Sequence, residues 1–237
     1  MLKIDKLSKT YKGGKKAVDN LTLQVDAGDI FGFIGPNGAG KTTTIKAMVG
    51  ILDFDEGDIF INKLSVKSDS IGCKKIIAYI PDTPDLYEYL TGIAYLNFIG
   101  DIFKVEKRER EERIKKYADL FDLTENLGDI ISSYSHGMKQ KLAIIAALIH
   151  SPKLLVLDEP FVGLDPKSSY ALKVIMHDLC KTGSAIFFST HVLDVAEKLC
   201  NKIAIIRNGK LIACGNTDDV KGDGSLEKVF LELTENA

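Results

Sequence analysis

The sequence predicts an α/β protein on a mainly parallel sheet, and three observations carry that prediction. Short apolar runs recur at residues 30–34, 76–80, 154–157, 185–189 and 203–207, and helical stretches separate them. The run Ile30-Phe31-Gly32-Phe33-Ile34 is apolar on both faces apart from its glycine, as a strand covered on both sides must be. From about residue 91 to 150 the texture turns helical with no Pro/Gly/Ser-rich joint, which makes this stretch an inserted subdomain. A length of 237 residues fits one domain carrying such a subdomain.

Leu21, Leu23 and Val25 alternate with Thr22 and Gln24, a half-buried strand, and Ala27-Gly28-Asp29 turns the chain into residues 30–34. A glycine-rich loop follows, then a helix expected over 41–52. Within 106–121, Ile114, Tyr117, Leu120 and Phe121 are expected to form one apolar stripe. The run 107–113 interleaves both signs of charge and reads as a solvated helix face with internal ion pairs. Strands at 154–157, 185–189 and 203–207 then alternate with helices at 166–181 and 191–199. Asn208-Gly209, between 203–207 and 210–213, is a strong hairpin signal because both turn positions favour positive φ.

Composition narrows the function. Thirty-one basic and thirty-three acidic side chains leave a net charge of −2, so nucleic-acid binding through bulk positive charge is not expected. The longest apolar run, Leu142 to Ile149, falls far short of the roughly 20 residues a membrane helix needs. No apolar signal region follows Met1-Leu2-Lys3-Ile4-Asp5, which predicts a soluble protein without a leader. The cysteines Cys73, Cys180, Cys200 and Cys214 lack metal or dithiol spacing, and apolar neighbours make them packing residues in a reducing cytosol.

Two motifs carry chemistry. Gly35-Pro36-Asn37-Gly38-Ala39-Gly40-Lys41-Thr42 follows an apolar strand and opens a helix, the setting a phosphate-binding loop requires. Its glycines let successive N–H groups face an anion, and the helix end adds partial positive charge. Lys41 would reach the β- and γ-phosphates and the Thr42 hydroxyl would ligate magnesium, so a nucleoside triphosphate is the expected ligand. The run Leu154-Leu155-Val156-Leu157 ends in Asp158-Glu159 at the carboxyl edge of a sheet, where ligands of open α/β folds bind. Asp158 would hold magnesium through water, leaving Glu159 to orient or deprotonate the attacking water. Ser135 is expected to cap a helix running from Met138 to Ile149, offering its hydroxyl and the Gly137 N–H to a second anion.

Together, Ser135-His136-Gly137-Met138-Lys139-Gln140, the phosphate loop and Asp158-Glu159-Pro160 resemble the nucleotide-binding domain of ATP-binding-cassette transporters. The likeness runs from Tyr11 to the hairpin at Asn208-Gly209. It implies a P-loop NTPase core with a mainly parallel sheet, an antiparallel β subdomain and an inserted helical subdomain. The chain would then be a single cassette, 1–237, whose helical subdomain at about 83–150 carries the signature motif. The segment from Phe33 through Thr42, Thr43 and Thr44 looks most like ATPase subunits of bacterial multidrug and related exporters, whose membrane domain is a separate chain. The resemblance further implies that Tyr11 stacks on adenine, that the phosphate loop through Thr43 binds ATP, and that His191 contacts the γ-phosphate. Ser135 and Gly137 would close over ATP held by a second cassette, identical or a paralogue, with Gly163-Leu164-Asp165 against that partner. His150 and His177 have no such setting and are expected to pack or face solvent.

Two positions depart from the family pattern. The signature normally reads Leu-Ser-Gly-Gly-Gln, and His136 replaces its first glycine, so the imidazole must point away from phosphate. Asp82 stands where the family carries glutamine; ionised, it can ligate magnesium but cannot donate to water. What the resemblance implies is an ATPase subunit, cytoplasmic and peripheral on the inner face of the membrane, using ATP and Mg2+. It would power an integral membrane subunit, in the direction of export, with residues from Asp82 to Tyr89 facing it. The alternatives are a soluble cassette of the iron–sulfur assembly type and a regulator that binds nucleotide without turnover. Glu159, Asp158, Lys41 and His191 weigh against the regulator.

Overall fold

The computed structural model describes residues 1–235 as three layers. An antiparallel sheet in the order β2-β1-β4-β5 joins β1 (Leu2–Thr10), β2 (Lys16–Val25), β4 (Glu56–Ile61) and β5 (Leu64–Ser65). The central sheet runs β10-β9-β3-β8-β7-β6. It is made of β3 (Ile30–Ile34), β6 (Ile77–Ile80), β7 (Leu154–Asp158), β8 (Ala185–Thr190), β9 (Lys202–Arg207) and β10 (Lys210–Asn216). All of its pairings are parallel except the β9–β10 hairpin. The helices are α1 (Lys41–Met48), α2 (Ser70–Ile76), α3 (Gly92–Ile102), α4 (Lys107–Leu120), α5 (His136–Leu148), α6 (Pro166–Lys181), α7 (Leu193–Leu199), α8 (Thr217–Lys221) and α9 (Leu226–Glu235).

Alternation along the central strands explains the layering. Phe31, Phe33, Leu154, Val156, Ala185 and Phe187 face the antiparallel sheet and α1, while Leu155, Leu157, Ile186 and Phe188 face the helices. Phe187 stacks on Phe31 at 5.6 Å between ring centres and tilts against Phe33 at 5.3 Å. These strands are apolar throughout because both of their faces are core. The segment carrying α3, α4 and α5 leaves the central sheet after β6 and returns to it at β7, so the helical insertion expected from the sequence is observed.

The structure corrects several expectations. The helix expected to reach residue 52 stops at Met48, because Gly50 at φ 69° ends it. Gly50 N–H donates to Ala47 O and Ile51 N–H to Lys46 O, the paired bonds of a left-handed glycine terminus. On α4 the buried stripe is Ile114, Ala118 and Phe121 with Tyr117 half-buried, and Leu120 is exposed. At 3.6 residues per turn, position 120 lies about 120° around the cylinder from 114, outside the buried stripe. The helix expected from His191 begins at Leu193, which leaves His191 on the bend after β8. All four cysteines are free, but Cys214 is exposed on β10, an edge strand, and does not pack as expected. His150 is a packing residue: its ring stacks on Phe103 at 3.7 Å, Nε2 faces Ile77 O at 3.0 Å, and burial lowers its pKa.

Candidate active site

Four strands deliver their following loops to one edge of the central sheet. After β3 comes the phosphate loop, after β6 Pro81-Asp82, after β7 Glu159, and after β8 His191. Because β3, β8 and β7 are neighbours, residues far apart in sequence meet there.

The phosphate loop is held open by its glycines. Gly40 caps α1 at φ 108°, and a Cβ at this position would collide with the carbonyl oxygen of Ala17 on β2. Gly38, at φ 78°, has open space where a Cβ would be. Lys41 is only 7% exposed, and its ammonium donates to Gly35 O at 2.7 Å and Pro36 O at 3.4 Å. The same Nζ lies 3.7 Å from Glu159 Oε1. Lys41 is therefore folded back on its own loop beside a carboxylate, a position from which phosphate oxygens would draw it out.

Asp158 is 2% exposed and ends β7 opposite Ser189. The Thr42 hydroxyl donates to its Oδ2 at 2.9 Å, and the Ser189 hydroxyl donates to its Oδ1. Those two bonds keep a buried carboxylate satisfied. The hydroxyl and carboxylate oxygens are hard donors, the type magnesium takes alongside phosphate and water. No cluster of three or more His, Cys, Asp or Glu side chains able to hold a metal occurs among the described residues.

Glu159 adopts φ 50°, a left-handed conformation that is uncommon for a residue with a side chain. Its N–H is tied to Ser189 O and Ser189 Oγ, both at 3.2 Å, so the strand neighbour over-determines the turn. The turn brings Oε1 to 2.9 Å from His191 Nδ1. Tyr11 follows β1, and its hydroxyl lies 3.3 Å from Thr43 Oγ1. A cavity of about 310 Å³ spans these groups, lined by Tyr11, Pro36, Asn37, Gly38, Gly40, Lys41, Thr42, Thr43, Asp82, Asp158 and Glu159. Asp82 is exposed at its rim and accepts the Thr83 N–H at 2.9 Å.

Ser135 and Gly137 do not line this cavity. Ser135 caps α5 by accepting the Met138 N–H at 3.3 Å, as the sequence led us to expect. Two residues at the cavity region were not singled out from sequence. Lys15 lines it, and the lysines at 12, 15 and 16 beside Tyr11 are the signal that could have found it. Ser189, which braces both Asp158 and Glu159, carries no sequence signal beyond its place two residues before His191.

A glycine-rich loop cradling a lysine at a helix N-terminus, across from a strand-end Asp-Glu pair and a histidine, defines a P-loop nucleoside triphosphatase. The comparisons narrow that class to a family. The ABC transporter family model matches residues 18–162. The ABC-type transporter ATP-binding protein EcsA of Bacillus subtilis is 35% identical over 220 residues, covering 91% of this chain and 89% of its own length. The linearmycin resistance ATP-binding protein LnrL of the same organism is 34% identical over 220 residues, covering 93% and 70%. A solved ATP-binding subunit of an ABC transporter superposes with a TM-score of 0.95 at 35% identity, over 99% of both chains. This chain belongs to the ATP-binding-cassette family: it binds ATP and is an ATPase.

Proposed function

We propose that the chain is the ATPase subunit of a two-component transporter, working as one of two cassettes against a separate integral membrane chain. The observation that carries this reading is an apolar surface on the helical insertion. Tyr89 is 77% exposed, and Tyr87, Phe98 and Ile102 are exposed beside it. Tyr87 packs edge-on to Phe98 at 5.5 Å. Next to them a groove of about 250 Å³ is lined by Leu86, Tyr95, Ile99, Phe103 and Ala147, together with Tyr79 and His150. Aromatic groups around an apolar slot are the composition of an interface core.

Tyr11 would stack on adenine, and Gly35 through Thr43 would wrap the phosphates. Thr42 and Asp158 would hold magnesium, with Asp82 at the edge of its shell; bound there, the ion neutralises charge on the phosphate oxygens. Glu159 would take a proton from the attacking water, and His191 and Lys41 would face the γ-phosphate. Ser135 and Gly137 would close on the nucleotide of the second cassette, identical or a paralogue. The unit would be one cassette over 1–237, its helical subdomain spanning about 83–150, on the cytoplasmic face of the membrane. Among the described residues no helix is long and apolar enough to cross a membrane, which leaves that task to the partner in this reading. Export is the direction supported by the phosphate-loop likeness to exporter subunits and by the resistance-named relative. A soluble cassette ATPase of the iron–sulfur assembly type is disfavoured by relatives named for transport.

The test is membrane association in cells. The tagged chain is expected to float with membranes and to leave them on Tyr89→Asp or Phe98→Asp, with ATP binding unchanged. Recovery in the soluble fraction, bound to a soluble scaffold, would overturn the reading.

Asp82 gives a separate prediction. Asp82→Gln is expected to retain or raise ATPase activity, because a neutral amide can both ligate and donate where Asp82 only accepts. A folded but inactive Asp82→Gln would sink the assigned role.

A further inference from the structure

We propose that His136 is a positioning residue that ties the first turn of α5 to the loop carrying Glu159. Gly163 has φ +81°, and a Cβ built on it would lie 2.7 Å from His136 Cδ2 and 3.0 Å from Nε2. The imidazole therefore packs directly over the Gly163 backbone of its own chain. Two more contacts close the grip. A Cβ on Gly137 would lie 2.9 Å from Gly163 O, so the α5 backbone also runs against this loop. One turn further along α5, Lys141 Nζ meets Asp165 Oδ2 at 2.8 Å. Asp165 caps α6 through the Ser168 N–H at 2.8 Å, and the Lys141 ammonium holds its carboxyl well below the usual carboxylate range.

The gripped loop is short. Val162 N–H donates to Glu159 O at 3.2 Å and Leu164 N–H to Phe161 O at 3.4 Å, so residues 159–164 form one compact turn. Ser189 holds the N–H side of Glu159, so a displacement of Gly163 reaches residue 159 at its carbonyl, through the Val162 bond, and tilts the carboxylate about that anchor. A glycine at 136, the residue the signature pattern expects, would leave Gly163 without its side-chain contact. His136 thus makes the approach of an anion to Ser135 felt at Glu159. This inference rests on the proposed role of α5, and the Ser135→Ala variant reports on that role independently.

The experiment is a cycle on ATP hydrolysis by the full chain, with ATP affinity measured separately. His136→Gly is expected to lower kcat by about 3- to 30-fold, within the range of couplings between contacting residues, with nucleotide affinity unchanged. His136→Asn, which keeps a planar polar group over Gly163, should restore most of the loss. Gly163→Ala should be impaired both by its positive φ and by the ring. Adding His136→Gly makes room for the new methyl, so the double variant should outperform Gly163→Ala alone. The double variant tests the contact itself; a fall in kcat at unchanged nucleotide affinity, recovered by His136→Asn, is what a merely structural role would not produce. Unchanged kcat in His136→Gly, or a double variant at the product of the two single losses, overturns the proposal. Should Gly163→Ala fail to fold, the His136→Gly and His136→Asn pair still decides it.

Discussion

Glu159→Gln is expected to cut ATP hydrolysis by about 10²- to 10⁴-fold, the usual worth of a positioned general base, while ATP still binds. The amide has nearly the shape of the carboxylate but cannot take a proton. The backbone should stay in place, because the left-handed turn at Glu159 is held by the two bonds from its N–H to Ser189 and not by the side chain. The substitution also removes the negative charge 3.7 Å from Lys41, which frees the ammonium for phosphate, so affinity for ATP should hold or rise. Steady-state phosphate release and equilibrium nucleotide binding measure the two halves. Light scattering with MgATP adds the assembly: blocked before hydrolysis, two chains should accumulate as a dimer. Turnover within a few-fold of the unsubstituted chain would remove Glu159 from the base role. A monomer at saturating ATP would assign the second cassette to a paralogue or make closure depend on the membrane chain.

The central sheet was legible in the sequence because its strands are buried on both faces, and a run such as Leu154-Leu155-Val156-Leu157 is unmistakable without any periodicity. The antiparallel sheet was much less legible. On β1, Leu2 and Ile4 point inward on even positions, but Lys6 at φ 51° breaks the register and the next inward residue is Leu7. Such a bulge shifts the alternation by one residue and hides the strand from a period-of-two reading. Asn20, at φ 52°, likewise kinks β2, so its two halves look like separate strands. Within the site, the phosphate loop and Asp158-Glu159 are contiguous motifs with obvious chemistry. Ser189 was not legible, because its importance comes from strand order: only the parallel pairing of β7 with β8 places it opposite Asp158. The contact of His136 with Gly163 was hidden for the same reason. Sequence flagged His136 as a departure from pattern, but its partner follows a different strand.

Lys41→Met should fail at the earlier step. The ammonium is the cation placed at the phosphate loop, and hydrogen bonds from charged groups are worth about 1.5–3 kcal/mol each. Loss of one such contact to phosphate corresponds to roughly 10- to 100-fold weaker ATP binding. Two further effects act in the same direction. Gly35 O loses its 2.7 Å donor in a buried setting, and Glu159 loses its nearby positive charge, leaving an acidic site facing an anionic ligand. Lys41→Arg should not rescue, since a planar guanidinium fork does not reproduce the compact ammonium seated against the Gly35 and Pro36 carbonyls of its own loop. Calorimetric titration with ATP, beside the hydrolysis assay, separates this variant from Glu159→Gln: one loses binding and chemistry together, the other chemistry alone. In the double variant, affinity should recover part of what Lys41→Met lost, because removing the Glu159 charge relieves the repulsion that the missing lysine had masked. ATP affinity unaltered by Lys41→Met would mean that the backbone N–H groups and the helix N-terminus hold the phosphates by themselves, and that Lys41 serves only to brace its own loop.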